Sequence, residues 1–129
     1  MAKIAIASTG EALESQVDSR FGRCFCFLVV DSETEEFTVL PNSADSMQRG
    51  AGISAAQLVV DQKVEGVIAG NFGPKAVSVL SQSGVTIYPV SGKTVKEALQ
   101  SFKEGGLKAA PPSQVPFGSG GGFGGGSPV

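Results

Sequence analysis

The stretch Phe25-Cys-Phe-Leu-Val-Val-Asp31, followed by Ser32-Glu-Thr-Glu35 and then Glu36-Phe-Thr-Val-Leu40, decides the fold. Its first part is β-rich and almost continuously apolar, as expected of a strand covered on both faces. The polar turn and the second β-rich run make it one arm of a hairpin. Upstream, Lys3 to Ser8 alternates, with Ile4 and Ile6 on one face, and ends at Thr9-Gly10, which predicts a first strand. Downstream, Pro41 to Gly50 is a loop by composition, and Ala51 to Lys63 carries Ile53, Ala56, Val59, Val60 and Val64 at helical spacing. Gly66 to Gly70 reads as a short buried strand. Pro74 suits the first position of a helix running to about Ser83, where Gly84 stops it. Val85 to Tyr88 is a fifth strand, and Thr94-Val-Lys-Glu97 has capping-box spacing ahead of a last helix that ends at Gly105-Gly106.

The resulting order β-β-β-α-β-α-β-α is a meander followed by two right-handed crossovers. It predicts an α/β domain with a five-stranded mixed sheet in the order 3-2-1-4-5, strand 2 antiparallel, flanked by helices in a ribonuclease H-like three-layer arrangement. At 129 residues there is room for one core, assigned to residues 1–108. Residues 109–129 are rich in Gly, Pro and Ser and read as a disordered tail with Phe117 and Phe123 as its apolar anchors.

Charge and rare residues narrow the chemistry. Ten Lys plus Arg against twelve Asp plus Glu give a formal net charge of -2, so no global field recruits nucleic acid or an acidic membrane. The apolar run after Met1-Ala2-Lys3 is far too short to span a bilayer, and the chain is expected to be a cytoplasmic monomer. The chain has no His, which removes the most versatile general base and the commonest metal ligand. Strand 1 supplies no acid for a two-metal nuclease, and Ser8-Thr9-Gly10 lacks a Walker lysine. An enzymatic role is not expected.

The topology collects five loops on one rim: Ser8 to Gly10, Arg20 to Cys24, residues 41–52, Gly70 to Pro74 and Ser91 to Thr94. They bring Arg20, Arg23, Arg49, Lys75 and Lys93 toward helix N-termini, where main-chain N–H groups add positive potential. Glycines at 50, 52, 70, 73 and 92 let a ligand approach the backbone. The expectation is an anion pocket, against the alternative of ordinary turn glycines and solvated basic side chains. Cys24 and Cys26, two apart on a strand, should share a face and could offer soft sulfur to a thiophilic metal, with Arg20 and Arg23 favouring thiolate. The alternative is two buried structural thiols.

Five segments in order resemble the nitrogenase iron-molybdenum cofactor biosynthesis family, which includes NifX-like proteins, the C-terminal region of NifB-like proteins and stand-alone orange-protein-like members. They are Lys3-Ile-Ala-Ile-Ala-Ser8, Ser19-Arg-Phe-Gly-Arg-Cys24, Gly50-Ala-Gly-Ile-Ser-Ala-Ala-Gln57, Val67-Ile-Ala-Gly-Asn-Phe-Gly-Pro74 and Gly92-Lys-Thr-Val-Lys-Glu-Ala-Leu99. The resemblance implies a carrier of an anionic metal-sulfide cluster (iron-sulfur, molybdenum-iron or molybdenum-copper) in cofactor assembly or metal handling. Partners would be a cofactor-assembly protein or an ATPase of the MinD/ParA type. Many relatives have His at the position of Arg20 and in the loop that here reads Ser46-Met-Gln-Arg49, and Ala-Pro-Tyr in place of Cys24-Phe-Cys26. The expected binding set is therefore Arg20, Phe21, Gly22, Arg23, Arg49, Gly50, Gly52, Gly73 and Lys93, with Cys24, Cys26 and Met47 as optional sulfur ligands. A metal-free regulatory module that contacts an ATPase through the tail and the 41–52 loop is the competing expectation.

Overall fold

The computed structural model describes residues 3–42 and 51–110. Strands β1 (Lys3–Ser8), β2 (Cys26–Asp31) and β3 (Phe37–Pro41) are followed by α1 (Ala51–Asp61), β4 (Gly66–Ala69), α2 (Pro74–Gln82), β5 (Thr86–Pro89) and α3 (Val95–Lys103). One sheet runs β3-β2-β1-β4-β5. β1 is antiparallel to β2, with Ile4 opposite Val30 and Ser8 opposite Cys26, and parallel to β4, with Ile4 beside Gly66. The expected α/β class, strand order and antiparallel second strand are all present.

Alternation along the central strands divides the interior into two layers. Ala5, Ala7, Phe27, Val29, Val67 and Ala69 face α1 and α2, while Ile4, Ile6, Cys26, Leu28, Val30 and Ile68 face α3. The first layer is built on small side chains: Ala55 and Ala56 of α1 and Ala76 of α2 are fully or almost fully buried. Such residues let two helices lie close to the sheet and to each other, and the bulk comes from Phe21, Phe27 and Phe72 at the rim end. The predicted apolar stripe of α1 is shifted accordingly. Val59 is buried, Ile53 and Val60 are only half-buried, and the alanines carry the contact.

β2 begins one residue later than expected because the chain bends at Phe25. β3 reaches Pro41, which is tolerated because β3 is an edge strand with no further neighbour in the sheet. After α3, Ala110 donates its N–H to the Ile87 carbonyl of edge strand β5 at 2.9 Å, so the chain is still in contact with the sheet there. The tail expected from residue 109 lies outside the described residues from position 111 onward.

Candidate functional site

Between β1 and β2 the chain crosses the carboxyl ends of β1 and β4, and its main chain is tied to both. The Asp18 N–H donates to the Ala7 carbonyl at 2.9 Å, Gly70 N–H to the Asp18 carbonyl at 3.1 Å, and Phe21 N–H to the Asn71 carbonyl at 3.1 Å. The approach at Gly70 is so close that a Cβ there would lie 2.7 Å from Ser19 Cα. No other residue type fits without displacing the crossing.

Phe21 is the plug of this segment. Its ring is 1% exposed and lies 5.2 Å from the rings of both Phe27 and Phe72, tilted against the first and stacked on the second. With Phe21 pointing inward, Gly22 rests on the start of α1, where a Cβ would meet the Gly52 nitrogen and Cα at 3.0 Å. The turn then closes through Arg23 N–H to the Arg20 carbonyl at 3.3 Å. Two guanidinium-bearing residues thus sit either side of a buried aromatic anchor and a glycine.

Together with Ser19, Asn71 and Gly73 they line an open cleft of about 540 Å³. Gly73 is the N-cap of α2, and as a glycine it supplies no side-chain cap to that helix. Its first-turn N–H groups and the positive end of its dipole are therefore directed to the cleft side of Gly73. Arg20 is oriented from behind by Asp18, a carboxylate only 5% exposed whose Oδ1 accepts from the Arg20 main-chain N–H at 2.9 Å and from Nε at 3.3 Å. Asp18 and Asn71 were not singled out in the sequence. The Asp-x-Arg spacing, which lets a carboxylate bond the main chain two residues on, is the signal that could have marked Asp18.

Of the expected binding residues, Arg20, Phe21, Gly22, Arg23 and Gly73 line this cleft, and Gly52 lies against Gly22. Phe21 contributes to the lining with its side chain buried. Lys93 does not line the cleft; it is exposed, and its carbonyl accepts from Val17 N–H at 2.9 Å. Met47, Arg49 and Gly50 lie outside the described residues.

The two thiols depart from expectation. They do not share a face: the bend at Phe25 reverses the alternation, so Cys24 joins the layer of α1 and α2 and Cys26 the layer of α3. Phe25 itself turns outward and is 57% exposed, rather than packing as a core neighbour. Neither sulfur is poised as thiolate. Burial, and then the nearby Asp18 carboxylate, hold the Cys24 thiol far above the ordinary range. Burial, then Glu11, pushes the Cys26 thiol up as well. Desolvation outweighs the expected help from Arg20 and Arg23. The Cys24 thiol donates to the Phe21 carbonyl at 3.4 Å and that of Cys26 to the Gly10 carbonyl at 3.2 Å. Among the described residues no group of three or more His, Cys, Asp or Glu could hold a metal ion. The donor set among the described residues does not fit a bare cation, whereas cationic side chains and main-chain amides fit an anion. No helix among the described residues is long and apolar enough to cross a membrane.

Comparison with known proteins gives the family and the fold. The chain is 35% identical to the orange protein of Desulfovibrio gigas, whose apo structure superposes with a TM-score of 0.82 over 85% of this chain and 93% of that one. A Thermotoga protein described as NifB is 38% identical, with a TM-score of 0.74 over 84% of this chain and 93% of its own. An uncharacterised protein of Methanocaldococcus jannaschii is 32% identical over 97 residues, which are 73% of this chain and 82% of the relative. Residues 2–105 match the dinitrogenase iron-molybdenum cofactor family, and the chain belongs to it.

Proposed function

We propose that the protein is a non-catalytic carrier whose cargo is an anionic metal-sulfur cluster, held in the cleft between the Arg20–Arg23 turn and the start of α2. The observation that carries this reading is the meeting of two guanidinium-bearing residues with a glycine-initiated helix N-terminus at one open cleft. A sulfide-rich cluster is a large anion with diffuse charge. Planar, weakly hydrated guanidinium groups and main-chain N–H donors suit its sulfur atoms without displacing any of them. Membership of the dinitrogenase iron-molybdenum cofactor family supports a cofactor-related cargo; the cargo we propose is an iron-sulfur, molybdenum-iron or molybdenum-copper sulfide, carried in cofactor assembly or metal handling.

Reconstitution with tetrathiomolybdate plus copper, and separately with iron plus sulfide, tests the reading. A coloured protein that keeps stoichiometric metal through desalting is expected, with retention lost in an Arg20→Ala, Arg23→Ala double variant. Retention of no metal under either condition overturns it. Cys24→Ser is expected to retain the cluster; loss of metal from a folded Cys24→Ser protein would instead favour direct sulfur ligation. The competing role, a metal-free module for a MinD/ParA-type ATPase, would be favoured if removal of residues 109–129 abolished ATPase binding by a chain that takes up no metal.

A further inference from the structure

The side chain of Asn42 stands immediately after edge strand β3 and is 6% exposed. Its Nδ2 donates to the Gly22 carbonyl at 3.2 Å and to the Cys24 carbonyl at 3.0 Å. These carbonyls precede and follow Arg23 in the chain. A primary amide nitrogen has two N–H bonds, enough to serve both acceptors. The same nitrogen lies 3.6 Å from Cys24 Sγ, whose thiol donates to Phe21. The turn is thereby pinned from the end of the neighbouring strand β3 by a residue 18 positions or more away in sequence.

We propose that Asn42 is a positioning residue for anion binding, acting through Arg23. The inference rests on the reading of the cleft as an anion site. Arg23 adjoins a glycine, and glycine on its own leaves the turn free to adopt other backbone states. The Arg23 N–H to Arg20 carbonyl bond closes the turn at 3.3 Å, which is long for such a bond. Two N–H bonds from one buried amide restrain the Gly22–Arg23 peptide unit and the Cys24–Phe25 unit beyond it, so the segment that carries Arg23 is held at both ends. They set the direction in which its side chain leaves the backbone toward the cleft that it lines. Binding then proceeds without the ordering cost that a loose arginine would add. No carboxylate can do the same, because it accepts and does not donate.

The test is a double-mutant cycle read by tetrathiomolybdate affinity, with thermal unfolding recorded for every variant. Asn42→Ala is expected to weaken binding about tenfold in the otherwise native chain, in line with loss of hydrogen bonds to buried acceptors. In an Arg23→Ala background the same substitution is expected to change the affinity less than about twofold, because its effect passes through Arg23. Asn42→Asp, nearly isosteric, should resemble Asn42→Ala, and Asn42→Gln, which keeps the amide, should recover part of the loss. If Asn42→Ala fails to fold, the Asp and Gln pair is read in the same cycle. Equal weakening in both backgrounds would show a general structural effect and overturn the proposal. Unchanged binding by Asn42→Ala or Asn42→Asp, with Arg23→Ala still weakened, would overturn it while leaving the anion site standing. Absence of binding by the native chain would overturn the anion site and this proposal with it.

Discussion

Gly70 leaves no room for a methyl group. Gly70→Ala forces a Cβ to within 2.7 Å of Ser19 Cα, and overpacking of this kind costs about 1–3 kcal/mol. Urea denaturation should show that loss, and anion retention should fall with it because the whole 18–23 crossing must move. Phe21→Ala removes the ring between Phe27 and Phe72 and should cost about 3–5 kcal/mol by the same measurement. Cys24 makes a pH prediction. Its folded-state pKa is raised, so below the ordinary thiol value of about 8.5 both folded and unfolded chains keep the proton and this group adds no pH dependence. Above that value the unfolded chain releases its proton first, and stability falls as pH rises. Cys26 acts in the same direction. Urea midpoints measured from about pH 7 to about pH 10 should decline, and a Cys24→Ala chain, though less stable throughout, should decline less steeply. At this scale the sequence was a partial guide. It marked Arg20 and Arg23 because the topology gathers basic residues on one rim, and Gly22 only through the resemblance carried by Ser19-Arg-Phe-Gly-Arg-Cys24. It misjudged Cys24-Phe25-Cys26 because alternation holds only within a strand, and the strand starts at Cys26.

The elements themselves were legible nearly to the residue, and the reasons are local. α3 begins at a capping box in which Thr94 Oγ1 accepts from Glu97 N–H at 3.1 Å while Glu97 Oε1 accepts from Thr94 N–H at 2.9 Å, the pattern written in Thr94-Val-Lys-Glu97. Thr94→Ala should cost about 1 kcal/mol and lower Tm by several degrees. It should leave anion retention unchanged, since neither Thr94 nor Lys93 lines the cleft. α2 differs in kind. It starts with a proline after a glycine N-cap that supplies no capping side chain, and its first N–H groups point to the cleft side of Gly73. Introducing a capping side chain by Gly73→Asp should lower cluster affinity, because the new carboxylate competes for those N–H groups and repels the anion. A Cβ at Gly73 meets no atom of the other described residues within 4 Å, its chain neighbours aside, so metal retention is read there without a clash among them.

For the whole molecule, charge is separated from net charge. The chain carries -2 overall, yet Arg20 and Arg23 adjoin the positive end of α2. Attraction confined to one cleft in a mildly acidic protein is screened over about 10 Å at 0.1 M salt. Cluster retention should therefore weaken severalfold when salt is raised from about 0.05 M to about 0.5 M, measured by metal remaining after gel filtration. The topology that concentrates this charge was readable because a hairpin followed by two crossovers permits few arrangements. What could not be read was the long-range tie from Asn42 to the Gly22 and Cys24 carbonyls, because hydrogen-bond pairing between segments distant in sequence leaves no periodic trace.

The reversal at Phe25 leaves one thiol on each side of the sheet, and this makes the native protein a two-channel reporter of its own opening. Cys24 is sealed beneath α1 and α2, Cys26 beneath α3. Alkylation of the two sulfurs, resolved by peptide mass, times the exposure of each layer separately. Equal protection would mean that the layers open in one step. Unequal protection would identify the side of the sheet that breathes first, with no engineered probe.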